Sequence, residues 1–243
     1  MAEKETPKVG IVAENASIIT MLENVVRTIT PIVPGTAEVV LHEIAKLPES
    51  IVAVAGNVTG RAVGDPATDV LLETVASGSS RDFLQGYSTV LPDGRQLTSS
   101  TTIFRNSRGE PVAALCVNSD LGAWERLRDL VSEMSGFPLV PATAETLGTG
   151  SNERFAHDVE ELADHLIADT IARAGVPVDL MKKEHKLAVV ARLRERGMFL
   201  LRDAVETVAG ALEVTRFTIY NYLNELEGAP GNEHGDADGP SGS

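Results

Sequence analysis

The sequence predicts an α+β fold, with a five-stranded antiparallel sheet and its helices followed by an all-α region. Three observations predict it. Short β-branched runs occur twice near the N-terminus and three more times in succession between residues 86 and 120. Tight turn signals join the last three runs, which makes them antiparallel neighbours. Beyond residue 150 the apolar residues recur at helical spacing.

The elements follow in chain order. Residues 15–30 predict a helix, with Ile18, Ile19, Leu22, Val25, Val26 and Ile29 on one face and Pro31 as the stop. AEVVLHEI (37–44) and SIVAVAG (50–56) predict two strands. The Gly-rich loop NVTGRAVGDPATD (57–69) ends in a helix start signal. Asp65 is placed to cap and Pro66 fits the first helical position, before Val70, Leu71, Leu72 and Val75. GYSTVL (86–91), RQLTSSTTIFR (95–105) and PVAALCVNSD (111–120) predict three more strands, the first pair separated by Asp93-Gly94. A helix is expected from Leu121 to Met134. GFPLVPATAETLGTGS (136–151) reads as a linker. Residues 153–174 predict an amphipathic helix on Phe155, Val159, Leu162, Leu166, Ile167 and Ile171, ended by Gly175 and Pro177. Residues 228–243 are rich in Gly, Pro and Asp without an apolar anchor, and predict a disordered acidic tail.

Composition narrows the function class. Hydrophobic residues are 43% and charged residues 23%, which excludes wholesale disorder. A formal charge of −14 argues against a protein that coats polyanions or membranes with its whole surface. The single cysteine, Cys116, excludes an intrachain disulfide and a thiolate metal cluster. No apolar run is long enough to span a bilayer, and MAEKETPK lacks an apolar signal core. A cytoplasmic protein is expected. The charge is uneven: residues 182–227 carry 8 basic and 7 acidic side chains, while every other stretch is acidic. Lys182, Lys183, Lys186, Arg192, Arg194, Arg196, Arg202 and Arg216 form this basic cluster. An acidic protein binds a polyanion only through such a local patch.

That segment also holds the most specific motif. MKKEHKLAVVARLRERG predicts a helix ending at Gly197. Asp203 and Glu206 are spaced as a capping box that opens a second helix, AVETVAGAL (204–212). After Glu213-Val214, Thr215 is placed to cap a third helix, RFTIYNYLNELE (216–227). Two crossed helices need a small residue at the crossing, and Ala209 fits. Val208, Leu212, Val214, Ile219, Tyr222 and Leu223 fall at inward positions. The outward edge of the last helix is Thr215, Arg216, Phe217, Thr218, Tyr220, Asn221 and Asn224. Arg pairs with guanine edges or phosphate and Asn with adenine, while hydroxyls reach phosphates. The pattern is that of a DNA-binding helix-turn-helix, with one departure. Glu213 occupies the turn position that commonly holds glycine, at a cost of about 1 kcal/mol if its φ is positive.

The string VTRFTIYNYLNEL resembles the C-terminal helix-turn-helix of the YheO-like (DauR-like) transcriptional regulators. EVVLHEI (38–44), SIVAVAGNVTGRAVGDPATD (50–69) and DGRQLTSSTTIFRNSRGEPVAALCVNSDL (93–121) resemble that family's PAS-type sensor domain. The resemblance runs over roughly residues 15–225, with the blocks in the same order. It implies a PAS-like sensor domain at 8–134, a linker and connecting helix at 135–180, and a helix-turn-helix DNA-binding domain at 181–227. It implies a regulator that reads a double-stranded DNA operator under control of a small molecule, and it supplies no ligand.

A PAS fold encloses space between sheet and helices. The candidate ligand-binding residues are His42, Arg61, Asp69, Thr101, Arg105 and Asn118, with Asn57, Ser99, Ser100 and Cys116 as further polar residues of the matched blocks. Alternation puts Thr101, Ile103 and Arg105 on one face of their strand. An arginine facing the cavity would grip a carboxylate, whereas Arg105 at the strand end would be solvated. No cofactor or metal is expected: His42 is the only histidine of the strand region, and Cys116 sits in the apolar run VAALCV. No nucleophile spacing and no lysine-bearing phosphate loop is present, so no enzyme is expected. One helix-turn-helix unit makes few contacts, so a homodimer on two half-sites is expected. The 153–174 helix is either the dimer element or packed on its own chain. The alternative to DNA binding is a PAS signalling adaptor whose C-terminal helices bind protein through Phe217, Tyr220 and Tyr222.

Overall fold

The computed structural model describes residues 7–78, 81–91, 93–137, 155–156 and 158–228. Most of the expected linker and nearly all of the expected acidic tail lie outside them. The elements are α1 (Pro7–Ile29), β1 (Ala37–Glu43), β2 (Ile51–Gly56), α2 (Asp69–Ala76), β3 (Phe83–Val90), β4 (Gln96–Arg105), β5 (Pro111–Asp120) and α3 (Gly122–Ser135). The helices α4 (Val159–Ala174), α5 (Lys183–Glu195), α6 (Ala204–Ala211) and α7 (Arg216–Gly228) follow. The five strands form one antiparallel sheet in the order β2-β1-β5-β4-β3.

Period-2 alternation gives this sheet two different faces. Val39 and Leu41 of β1 and Ala113 of β5 turn toward α1, where Ile19, Leu22 and Val26 close an apolar core over them. The other face carries Glu38, Val40 and His42 of β1, Ala114, Cys116 and Asn118 of β5, and Ser99, Thr101 and Ile103 of β4. The register Glu38↔Asn118, Val40↔Cys116, His42↔Ala114, Ser99↔Asn118, Thr101↔Cys116 and Ile103↔Ala114 lines them up. All nine are buried, although five of them (Glu38, His42, Ser99, Thr101 and Asn118) are polar. At the Ile103–Ala114 end this face continues into the largest core. There Leu71 and Leu72 of α2 meet Leu162 and Leu166 of α4, Val190 and Leu193 of α5, Met198, and Val208, Leu212 and Ile219 of α6 and α7. The C-terminal helices therefore dock on the helix that closes the sheet.

The local starts differ from several expectations, each for a physical reason. α1 begins at Pro7, ahead of its first apolar anchor. Thr68 caps α2, accepting from Leu71 N at 3.2 Å, and Asp65 instead closes a turn by accepting from Ala62 N at 2.8 Å. α4 begins at Val159 because Asp158 caps it through Glu161 N at 2.7 Å. Phe155 is left buried outside the helix. The Asp203–Glu206 capping box does not form: Asp203 has φ 54° and makes no side-chain cap, because capping requires extended backbone at that residue.

Gly197 marks the junction of α5 with α2. Its φ is +78°, and a Cβ there would lie 2.8 Å from the carbonyl oxygen of Leu72. Left-handed backbone alone costs a non-glycine residue about 1–2 kcal/mol, and the contact adds to it. Gly197→Ala is expected to lower the urea midpoint by at least that equivalent at unchanged m.

Candidate DNA-reading edge and buried polar cluster

α6 and α7 pack together, with Ala209 buried in the core they share. Leu212 caps α6, and Glu213 has φ 52°. Val214 N donates to Ala209 O at 3.0 Å and Glu213 N to Gly210 O at 3.2 Å. These are the two bonds of a helix C-terminus closed by a left-handed residue, so the turn forms without glycine and they offset its strain. Thr215 caps α7 as expected, accepting from Thr218 N at 3.3 Å. Val208, Leu212, Ile219 and Tyr222 are buried, with Val214 and Leu223 half-buried.

The outward edge is free. Thr215, Arg216, Phe217, Tyr220, Asn221 and Asn224 are exposed, Phe217 by 67%. Thr218 is half-buried, its hydroxyl 3.0 Å from that of Thr215. The Arg216 guanidinium lies over the Phe217 ring, 5.3 Å from its centroid, and 3.9 Å from Glu206. Both groups of that ion pair are exposed, so it is weak and exchangeable.

The basic cluster is smaller than its residue count. Arg196 is buried and binds Asp169 at 2.6 Å, with Asp69 at 3.6 Å. Arg192 pairs with Glu195 and Glu73, and Lys183 with Glu225. Lys186 Nζ donates to Leu212 O at 2.7 Å and ties α5 to the helix-turn-helix turn. Sequence proximity of charges could not reveal which of them are internal ties.

The polar face of the sheet collects other candidates. Glu38 is fully buried. Its carboxylate accepts from Val58 N (3.0 Å), Thr59 N (3.0 Å), Thr59 Oγ1 (2.7 Å) and Asn118 Nδ2 (3.2 Å). Ser99 Oγ donates to Asn118 Oδ1 at 2.9 Å. Thr101 Oγ1 lies 3.0 Å from the Tyr87 hydroxyl and 3.2 Å from Cys116 Sγ. Cys116 is thus a buried thiol in a hydroxyl cluster. His42 Nδ1 is 2.8 Å from Ser50 Oγ. Burial, with help from the nearby Arg61 charge, pushes the His42 imidazole down to about 3. Arg61, on the 57–68 loop, joins this cluster through Thr59, which binds Glu38. Its Nε donates to Thr59 Oγ1 at 3.3 Å, and its guanidinium stacks on Phe155, 4.7 Å from the ring centroid.

The structure thus brings together His42, Arg61, Thr101 and Asn118. It separates the other two candidates. Asp69 starts α2 and faces Arg196 and His165. Arg105 keeps the side of β4 that Ile103 faces, and the two line one small cavity with Thr74 and Val75 of α2, at the far end of the strand from Asn118. Arg105 Nε donates to Asp82 at 2.7 Å and its Nη1 to Gly109 O at 3.0 Å. The expectations passed over Glu38 and Phe155. Glu38 had a visible signal, a carboxylate two positions from Val40 and four from His42 on one strand face. Phe155 had none, because its position depends on chain outside any regular element. No group of three or more metal-ligating side chains occurs among the described residues. No helix among them is long and apolar enough to cross a membrane.

Comparison with known proteins agrees with this architecture. The model of the YheO-like PAS domain matches residues 13–136, and that of an HTH domain matches residues 162–224. The chain is 29% identical to the uncharacterized protein YheO of Escherichia coli (strain K12) over 213 residues, covering 86% of this chain and 85% of that one. It is 29% identical over 193 residues to the transcriptional regulator DauR of Pseudomonas aeruginosa, covering 79% and 86%. An uncharacterized protein of Haemophilus influenzae is 27% identical over 215 residues, covering 88% and 93%. No solved structure matches the chain. With the five-stranded sheet matched over more than half the chain and the crossed helices matched behind it, the chain belongs to the YheO-like PAS domain family and carries a C-terminal helix-turn-helix domain.

Proposed function

We propose that this protein is a transcriptional regulator. Its PAS-like half senses a small molecule and its helix-turn-helix binds operator DNA, with α7 in the major groove. One observation carries the reading: the edge of α7 bearing Arg216, Tyr220, Asn221 and Asn224 is exposed while the opposite edge is locked into the core. A groove reader needs both a fixed angle and an uncovered face. The similarity to DauR, a transcriptional regulator by name, supports it. A gel shift with DNA upstream of the protein's own gene tests it. A shift that survives nonspecific competitor is the expected result.

The route of control follows from the docking of α5 on α2. The 57–68 loop covers the polar sheet face and runs straight into α2. Asp69, at the start of α2, meets Arg196, at the end of α5. A ligand that favours one placement of this loop favours one placement of the DNA-reading helices.

Operator reading by two copies requires a dimer element. α4 is taken up inside its own chain, with Leu162, Leu166 and Ile167 buried. α3 instead leaves Trp124, Leu127, Val131 and Met134 exposed, Met134 by 80%. Their spacing of three, four and three residues is the seam of a two-stranded coiled coil, which fits a second copy of the same helix. The Leu127→Glu, Val131→Glu double variant is expected to run as a monomer in light scattering, where the unmodified chain runs as a dimer. Its melting temperature should fall only by what dimerisation contributes at that protein concentration, since neither side chain is buried in the monomer. An unmodified chain that is monomeric at micromolar concentration overturns this assignment.

A further inference from the structure

The polar cluster over the sheet contains three buried nitrogens that make no hydrogen bond: His42 Nε2, Arg61 Nη1 and Arg61 Nη2. Arg61 is 4% exposed and His42 is fully buried. A guanidinium keeps its charge under any protein condition, so it cannot escape burial by losing a proton. Its Nε has Thr59 and one face has Phe155, but the outer fork is bare. The carboxylate in the same cluster, Glu38, is already saturated by four donors from Val58, Thr59 and Asn118. Asp65, on the same loop as Arg61, is spent on Ala62 N. A buried unpaired cation in a folded protein marks the place of a partner.

We propose that this cluster is the binding site for the carboxylate of a small organic acid, held by the Arg61 fork. The proposal rests on reading the N-terminal half as a sensor. The two oxygens of a carboxylate match the two Nη groups in parallel. Arg61 brings one positive charge to a cluster that already holds the Glu38 carboxylate, so a phosphate dianion would leave more uncompensated negative charge than a carboxylate monoanion. His42 stays neutral here, because burial and the Arg61 charge hold its imidazole at about 3. When the Ser50 hydroxyl donates to Nδ1, Nε2 carries the proton and is a neutral donor on the same sheet face.

The test uses acetate, the minimal group that any carboxylate site accepts, at ionic strength matched with chloride. Acetamide serves as the neutral isostere and inorganic phosphate as the dianion. At tenfold above its dissociation constant, acetate is expected to raise the melting temperature of the full chain by about 3–6 °C, with no rise from acetamide. Arg61→Met is expected to fold with a melting temperature no lower than the unmodified chain, since an apolar side chain replaces an unpaired cation, and to lose the acetate shift. Should that variant fail to fold, Arg61→Lys retains charge without the fork and is expected to need at least tenfold more acetate for the same shift. Equal responses to acetate and chloride overturn the proposal, as does an acetate shift unchanged in both variants. A larger Arg61-dependent shift with phosphate overturns the carboxylate assignment. A gel shift run in parallel separates the two readings. DNA binding without an acetate shift removes the site alone, and an acetate shift without DNA binding removes the regulator alone.

Discussion

Alanine at Arg216 or at Asn221 is expected to weaken specific operator binding by about 30-fold or more while leaving the fold intact. The magnitude follows from the contacts. A bidentate arginine–guanine or asparagine–adenine pair is worth about 1–3 kcal/mol of discrimination, and a dimer makes each contact twice. Both side chains are exposed on the first turns of α7. The ties of Arg216 within the chain are a loose ion pair with Glu206 and the ring of Phe217. Their removal should change stability by no more than about 0.5 kcal/mol. Unchanged circular dichroism with lost gel shift is therefore the expected pair of results. Tyr222→Ala, by contrast, removes a buried ring from the core shared by α5, α6 and α7, and should cost folding as well. Operator affinity unchanged in both surface variants would contradict the placement of α7 in the groove and leave the protein-binding adaptor as the better account.

Mild acid is expected to destabilise the protein through His42. The imidazole is neutral in the folded chain down to about pH 3, because burial and the Arg61 charge disfavour its proton. In the unfolded chain it takes up a proton near pH 6.5. The unfolded state therefore binds more protons between these values. The contribution of neutral His42 is fully present above pH 6.5 and is lost as pH falls, at about 1.4 kcal/mol per pH unit. Urea unfolding at pH 7.0 and pH 5.0 isolates this window from most carboxylate titration. The unmodified chain should lose about 2 kcal/mol between the two, and His42→Gln should lose correspondingly less, whatever its absolute stability. Parallel pH curves for the two proteins would show that His42 is protonated in the fold, in conflict with its burial beside Arg61.

Much of the candidate edge on α7 was legible in the chain, because its signals are local. Thr215 caps α7 from the adjacent position, and Val208, Leu212 and Ile219 repeat at the helical period. Even the cost at Glu213 could be anticipated, since a turn of that length needs positive φ. The ligand-site candidates divide differently. His42, Thr101 and Asn118 lie on one face because strand alternation is also local. Arg105 follows the same alternation, but it lies at the strand end, where Asp82 binds it. The assignment of Arg196 to a basic patch failed for a related reason. Counting charges treats each as solvated, and Arg196 is buried between Asp169 and Asp69.

By itself the sequence determined five strands, their antiparallel neighbours, the crossed C-terminal helices and the Thr215 cap of the last one. Each depends on residues within a few positions of one another, where sterics and periodicity act directly. Only the tertiary structure decided that α4 is spent internally while α3 keeps an uncovered apolar seam. It alone placed α5 against α2 and left the Arg61 fork buried with no hydrogen-bond partner. Those outcomes depend on which buried groups meet across long chain separations, and burial converts an ordinary arginine into an unpaired cation only after the loop has closed over the sheet.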